Sequence, residues 1–286
     1  MSSHGTPRLN VRGIDVPAFL YGTAWKEERT SQLTGIALSE GFRAIDTANQ
    51  RKHYFEAGVG EAVDAFVKMG TVARSELFIQ TKFTYASSQD HRLPYDSAAP
   101  PALQVVQSFE RSLEHLQTTH IDAYLLHGPA RGRGISREDW EVWQAMESLQ
   151  RTGKVTLLGI SNVSVEQLAE LLTDCSVVPA FVQNRCYART GWDREVRALC
   201  QASGIVYQGF SLLTANRQEM KSAALMRIAS ECGRTPAQVV FRFAIQMGMI
   251  PLTGTCSAMH MREDLACFEF ELSQRAIEII EQVSLK

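Results

Sequence analysis

No stretch of this 286-residue chain approaches the roughly 18 apolar residues of a membrane-crossing helix, and its polar start lacks the apolar segment of an export signal. A cytoplasmic protein that meets no membrane is therefore expected. Metal patterns are missing too: no H-x-H marks a first strand and no H-E-x-x-H marks a helix, so metal-dependent hydrolysis is not expected. Cys175, Cys186, Cys200, Cys232, Cys256 and Cys267 show no C-x-x-C spacing, which predicts free thiols in a reducing compartment. Neither sign of charge prevails, with a net charge of −2, so nucleic acid is not expected as a partner. Arg131-Gly132-Arg133-Gly134 with Arg137 is a local exception that reads as a solvated loop. A Rossmann fingerprint is absent as well. Gly58-Val59-Gly60 and Gly132-Arg133-Gly134 lack the third glycine at the right offset, and neither directly follows a strand.

What the chain does have is a recurrence of short β-like runs, each stopping at a polar or aromatic residue. These runs stop at Asp46, Lys82, His127, Ser161-Asn162, Gln183 and Phe210. Between them apolar residues recur at helical spacing, as in Val59, Ala62, Val63 and Phe66, or Ala276, Ile279, Ile280 and Val283. About eight strand-helix units follow one another, from a strand near residues 19–22 to one near 249–252. Parallel strands need crossover helices, and eight close into a barrel of about 250 residues. The prediction is an α/β fold, a single (β/α)8 TIM barrel domain over residues 1–286. Strand C-terminal ends share one face of such a barrel, so the polar residues converge there as an active site.

Gly22-Thr23-Ala24-Trp25, the run from Gly41 through Asp46-Thr47-Ala48, Val59-Gly60-Glu61-Ala62, Thr81-Lys82, Ile121-Asp122-Ala123-Tyr124-Leu125-Leu126-His127-Gly128-Pro129 and Gly159-Ile160-Ser161-Asn162 appear in order. With these motifs the chain resembles the aldo-keto reductase family over about residues 16–272. The resemblance implies a barrel that binds an extended nicotinamide cofactor, NADPH with NADH possible, and reduces a small carbonyl substrate by hydride transfer. The expected assembly is a monomer or weak homo-oligomer.

Carbonyl reduction needs a proton donor that holds its proton until charge develops. A tyrosine, ordinarily near pKa 10, becomes a better acid beside an ammonium. Lys82 is expected to lower the tyrosine's pKa, Asp46 to fix Lys82, and His127 to orient the carbonyl oxygen; the resemblance implies the same roles. In the family's D-T-A-x-x-Y pattern the acid would fall at Arg51. A short insertion moves it to Tyr54, with His53 as the rival.

The resemblance further implies that Ser161, Asn162 and Gln183 hold the nicotinamide carboxamide, that Phe210 stacks on its ring, and that Ser211 and Leu212 run along the pyrophosphate. Thr23 joins the cofactor contacts, and Trp25 faces the substrate. Gly254 and His260 replace the lysine and arginine that clamp the ribose 2′-phosphate in many members, leaving Arg262 with Thr255 as the expected substitutes. Glu263 and Asp264 fall near adenine. The pocket is expected to be open, walled by Trp25, segment 83–101 and the loop 128–139. Two other readings stay open: a catalytically idle, redox-sensing subunit that keeps the nicotinamide site, and a cofactor-free isomerase or lyase using Lys82 for a Schiff base.

Overall fold

A computed structural model of the protein describes residues 6–284. It opens on an antiparallel hairpin, β1 (Arg8–Val11) and β2 (Ile14–Pro17), with Val11 paired to Ile14. The two turn residues, Arg12 and Gly13, have φ of 54° and 85°, the positive pair that a two-residue hairpin turn requires.

Eight parallel strands then close into a barrel: β3 (Leu20–Gly22), β4 (Ala44–Asp46), β5 (Phe78–Phe83), β6 (Ile121–Leu126), β7 (Val155–Ser161), β8 (Phe181–Arg185), β9 (Val206–Phe210) and β10 (Ile250–Thr253). They pair in chain order, and β10 returns to β3 with Leu252 opposite Leu20. The expected (β/α)8 barrel is thus the architecture. Helices α1 (Thr30–Glu40), α2 (Glu56–Lys68), α3 (Pro101–Leu116), α4 (Arg137–Arg151), α5 (Val165–Asp174) and α6 (Arg194–Ala202) follow β3 to β8 in turn. Two more, α7 (Ala223–Cys232) and α8 (Pro236–Gln246), separate β9 from β10, and α9 (Ala258–Leu265) and α10 (Gln274–Glu281) complete the described chain. Among the described residues no helix is long and apolar enough to cross a membrane.

Side chains alternate across a strand, so each strand sends every second residue inward. Leu20, Ala44, Phe78, Ala123, Leu125, Leu157, Phe181 and Ile250 form the lower interior, and Val11 and Val16 of the hairpin join the same cluster from below. Their neighbours of opposite parity, including Tyr21, Ile45, Ile79, Tyr124 and Leu158, belong to a second cluster shared with the helices. Two residues further along the inward rows of β4, β5, β8 and β9 come Asp46, Gln80, Gln183 and Gln208, a polar layer above an apolar floor. One step more on β5 and β6 reaches Lys82 and His127.

Candidate active site

A cleft of about 1610 Å³ opens above this polar layer at the C-terminal strand ends. At its base the Asp46 Oδ1 oxygen accepts three N–H donors: Lys82 Nζ at 2.6 Å, Gln80 Nε2 at 2.7 Å and Gln183 Nε2 at 2.9 Å. Gln208 closes the layer, its Oε1 accepting from Gln80 and Gln183 at 2.9 Å each. Lys82 also donates to the Thr47 carbonyl at 2.8 Å and is fully buried. Burial draws its pKa below the ordinary lysine value, and the adjoining Asp46 opposes that shift.

Tyr54 and His127 meet over this pair. Lys82 Nζ lies 5.4 Å from the Tyr54 ring centroid, and the Tyr54 and His127 rings meet edge to face at 5.9 Å. Both line the cleft, and among the described residues no protein group hydrogen-bonds the Tyr54 hydroxyl. Burial, with Asp46 second, pushes the Tyr54 phenol up. This corrects the expectation that Lys82 lowers it: the ammonium is matched by Asp46, so desolvation decides the direction. His127 Nδ1 lies 2.7 Å from Thr84 Oγ1. Burial, then Lys82 and His53, bring the imidazole down to about 3, so it stays neutral in ordinary buffers. His53 stands apart. Its ring stacks on Trp25 at 4.1 Å and its Nδ1 bonds Gln50 Oε1 at 2.9 Å.

On the β7–β8 side, Ser161 Oγ donates to the Gln183 carbonyl at 2.6 Å and accepts from Asn162 Nδ2 at 3.1 Å. Asn162 also donates to the His127 carbonyl at 2.8 Å, from a backbone with φ of 53°. These bonds lock the three amide-binding candidates together before any ligand arrives, with Asn162 and Gln183 both at the cleft wall. Phe210 ends β9, half-buried under the Arg185 guanidinium at 5.5 Å. Ser211 follows with φ of 56°, and the buried Leu212 side chain leaves only its backbone for a ligand. At the end of β10 the wall is Gly254, Thr255, His260, Glu263 and Asp264.

Two expected contacts lie elsewhere. Thr23 does not line the cleft: opposite in parity to inward-facing Gly22, it is buried with its hydroxyl on the Asp46 carbonyl at 3.0 Å. Arg262 turns away from the cleft, in a two-pronged pair with Glu40 at 2.7 and 2.8 Å. A cation that sequence reasoning passed over stands nearer. Lys26 is buried, lines the cleft and donates to the Gly254 carbonyl. Its position just after Gly22-Thr23-Ala24-Trp25 was the available signal. Gln80, Gln208 and Thr84 also went unnoticed, although the two glutamines show as polar residues at inward-facing strand positions.

Trp25 stands at the mouth, exposed and with φ of 62°. Segment 83–101 walls the cleft only through Thr84, Tyr85, Ser87 and Ser88. Its remainder is tied down outside: Tyr95 Oη donates to the Thr84 carbonyl at 2.7 Å, and the Asp96 amide to Gln107 at 2.9 Å. The 128–139 loop contributes Gly128 to Gly132 and is held by Asp139, which accepts from Tyr85, Ser136 and the Ala130 amide.

A model described as the Aldo/keto reductase family matches residues 20–285. The chain is 30% identical to a glyoxal reductase of Bacillus subtilis, over 95% of this chain and 90% of that protein. It is 28% identical to an NADPH-dependent codeinone reductase of Papaver somniferum, over 99% and 91%. A crystal structure of a Bombyx mori aldo-keto reductase in complex with NADP superimposes with a TM-score of 0.83 at 23% identity, over 98% and 94% of the two chains.

Proposed function

The chain belongs to the aldo/keto reductase family, and on that premise we propose that it reduces a small aldehyde or activated ketone to the alcohol with NADPH, with NADH as a weaker donor. The observation that carries this reading is the meeting of Tyr54 and His127 at the cleft base over a buried Lys82–Asp46 pair.

The chemistry of the wall fits the cofactor. The cleft exceeds the roughly 300–1,000 Å³ of a drug-sized site, as a dinucleotide beside a substrate needs. Asn162 and Gln183 offer amide partners for a carboxamide, Phe210 a flat face for a ring, and Lys26 a buried cation for a phosphate. The codeinone reductase among its relatives is named as NADPH-dependent. A nicotinamide held by Asn162, Gln183 and Phe210 would supply the hydride for the carbonyl carbon.

The chain's own residues then handle the oxygen. In the tautomer whose Nδ1 accepts from the Thr84 hydroxyl, His127 has Nε2–H to present to the carbonyl oxygen and orient it. Tyr54 delivers the proton as negative charge grows on that oxygen. Its raised pKa keeps it protonated through neutral pH, as a donor must be. Lys82 and Asp46 act as positioning residues, fixing the electrostatics behind the phenol. Lys82 does not line the cleft, and that burial argues against a Schiff-base lysine.

Tyr54→Phe tests the assignment by removing one oxygen. Turnover is expected to fall about 10²- to 10⁴-fold, the usual worth of a general acid, with NADPH affinity nearly unchanged, while His53→Ala costs little. Near-normal turnover in Tyr54→Phe would move the acid elsewhere. Absent turnover in the wild type across carbonyl substrates, with NADPH still bound, would favour the idle, redox-sensing subunit.

A further inference from the structure

Glu56 is a buried carboxylate, 3% exposed, that does not line the cleft. Holding a charge out of water is costly unless hydrogen bonds and counter-charge meet it, so its partners show what it serves. Its Oε1 accepts from the Thr81 hydroxyl of β5, and its Oε2 lies 2.9 Å from Nδ1 of His115 in the last turn of α3. As the first residue of α2 it also sits at the positive end of that helix, which among the described residues no side chain caps. Three elements therefore meet on one carboxylate.

Two links lead from it to the cleft floor. Tyr54 precedes Glu56 by two residues, and Thr81 precedes Lys82 by one. Strand alternation sends Lys82 into the barrel and Thr81 out toward α2, so the Glu56–Thr81 bond ties the end of the Tyr54 loop to β5 from behind the ammonium. The charge reaches the same group. Burial draws the Lys82 pKa down, and Asp46 from inside the barrel, then Glu56 from outside, oppose that shift. The titratable groups around Glu56 are His115, Lys82 and Tyr124 of β6, and those around Lys82 are Asp46, Tyr54, His127 and Glu56.

We propose that Glu56 is a positioning residue of the reductase site: from outside the barrel wall it pins the Tyr54 loop to β5 and, as a second negative charge besides Asp46, keeps Lys82 an ammonium behind the phenol. The inference rests on the proposed reductase reading and deepens it. Glu56→Gln keeps the shape and an acceptor for Thr81 while removing the charge. It should lower kcat about 10- to 100-fold, as a misplaced catalytic group does, with the carbonyl KM and the NADPH dissociation constant within about threefold, which also reports an intact fold. Because burial lowers Lys82 and raises Tyr54, the lysine loses its proton first and sets the alkaline limb of kcat. That limb should move to lower pH by about one unit in Glu56→Gln, and the nitrogen NMR signal of the Lys82 side chain, read without substrate, should titrate lower by the same amount. Thr81→Val, which removes the pin and keeps the charge, should lower kcat with the limb in place. An unmoved limb and an unmoved Lys82 titration in Glu56→Gln, or an equal move in Thr81→Val, would reduce Glu56 to packing and overturn the inference. A wild type that reduces no carbonyl, while the Lys82 titration still responds to Glu56→Gln, would sink the reductase reading and leave the hold on the ammonium standing.

Discussion

Asp264 holds its proton well above the range where most aspartates have lost theirs. Its carboxyl is buried, accepts from Thr253 and stands beside Glu263, and burial raises its pKa from 3.8 to about 7. An acid whose folded pKa lies above its unfolded value contributes stability that is complete below about pH 4 and is lost as pH rises through 7. Ionisation at pH 8 thus costs the folded state on the order of 2–4 kcal/mol. Asp264→Asn keeps an oxygen for the Thr253 hydroxyl and removes the titration. Thermal unfolding should show the variant several degrees more stable than wild type at pH 8, with the gap shrinking steadily toward pH 4. A gap that ignores pH would assign the effect to packing. His127 runs the other way: its folded pKa is depressed to about 3, so its contribution is present above 6.5 and lost on acidification. Each shift follows from burial of a single charge, and neither is visible in composition.

At the scale of elements, α2 couples the back of the barrel to the face that carries the cleft. A Cβ on Gly60 would lie 2.0 Å from the His115 carbonyl oxygen and 2.8 Å from the Leu116 Cα, so only glycine lets α2 lie this close to the end of α3. The first residue of α2, Glu56, bonds the Thr81 hydroxyl and His115 Nδ1, and it follows the Tyr54 loop by two residues. Gly60→Ala should therefore cost about 1–3 kcal/mol by overpacking and lower turnover as well, since pushing α2 outward drags Glu56 from the strand that carries Lys82. Val16→Ala, in the hairpin that closes the opposite end, should cost comparable stability with little loss of turnover. Unfolding midpoints and kcat of both variants decide the point, and a Val16→Ala protein that stays folded but loses activity would refute the separation of floor and face. The barrel strands were legible because each alternating run stops at a polar residue. The hairpin was not, although Val11 and Val16 flank an Arg12-Gly13 turn. Strand parity alone would have turned Thr23 away from the cleft.

For the molecule as a whole, convergence of strand ends brings residues as distant as Asp46 and Gln183 within hydrogen-bond distance. The inward-facing strand ends, Asp46, Lys82, Ser161, Gln183 and Phe210, with His127 one step past β6, could be named in advance because barrel closure fixes where they go. Lys26 and Arg262 could not, since each depends on how a loop or helix turns its long side chain. The cleft is lined by Lys26, Lys52, Arg131 and Arg185, with Asp46 paired to Lys82, Asp264 bonded to Thr253 and Glu263 at the wall, in a chain of net charge −2, so an anionic ligand meets local rather than global attraction. Binding of such a ligand to the folded state alone must raise stability, by about 2.7 kcal/mol at a hundred times its dissociation constant. In a chain of this length that corresponds to about 5 °C in Tm. NADPH should produce this shift without any substrate, and equally in Tyr54→Phe, because in the proposed mechanism the phenol acts on the carbonyl and not on the nucleotide. A melting curve separates holding the cofactor from using it. A shift in both proteins with turnover only in the wild type is the expected pattern, whereas no shift in either at saturating NADPH would empty the cleft of its proposed ligand.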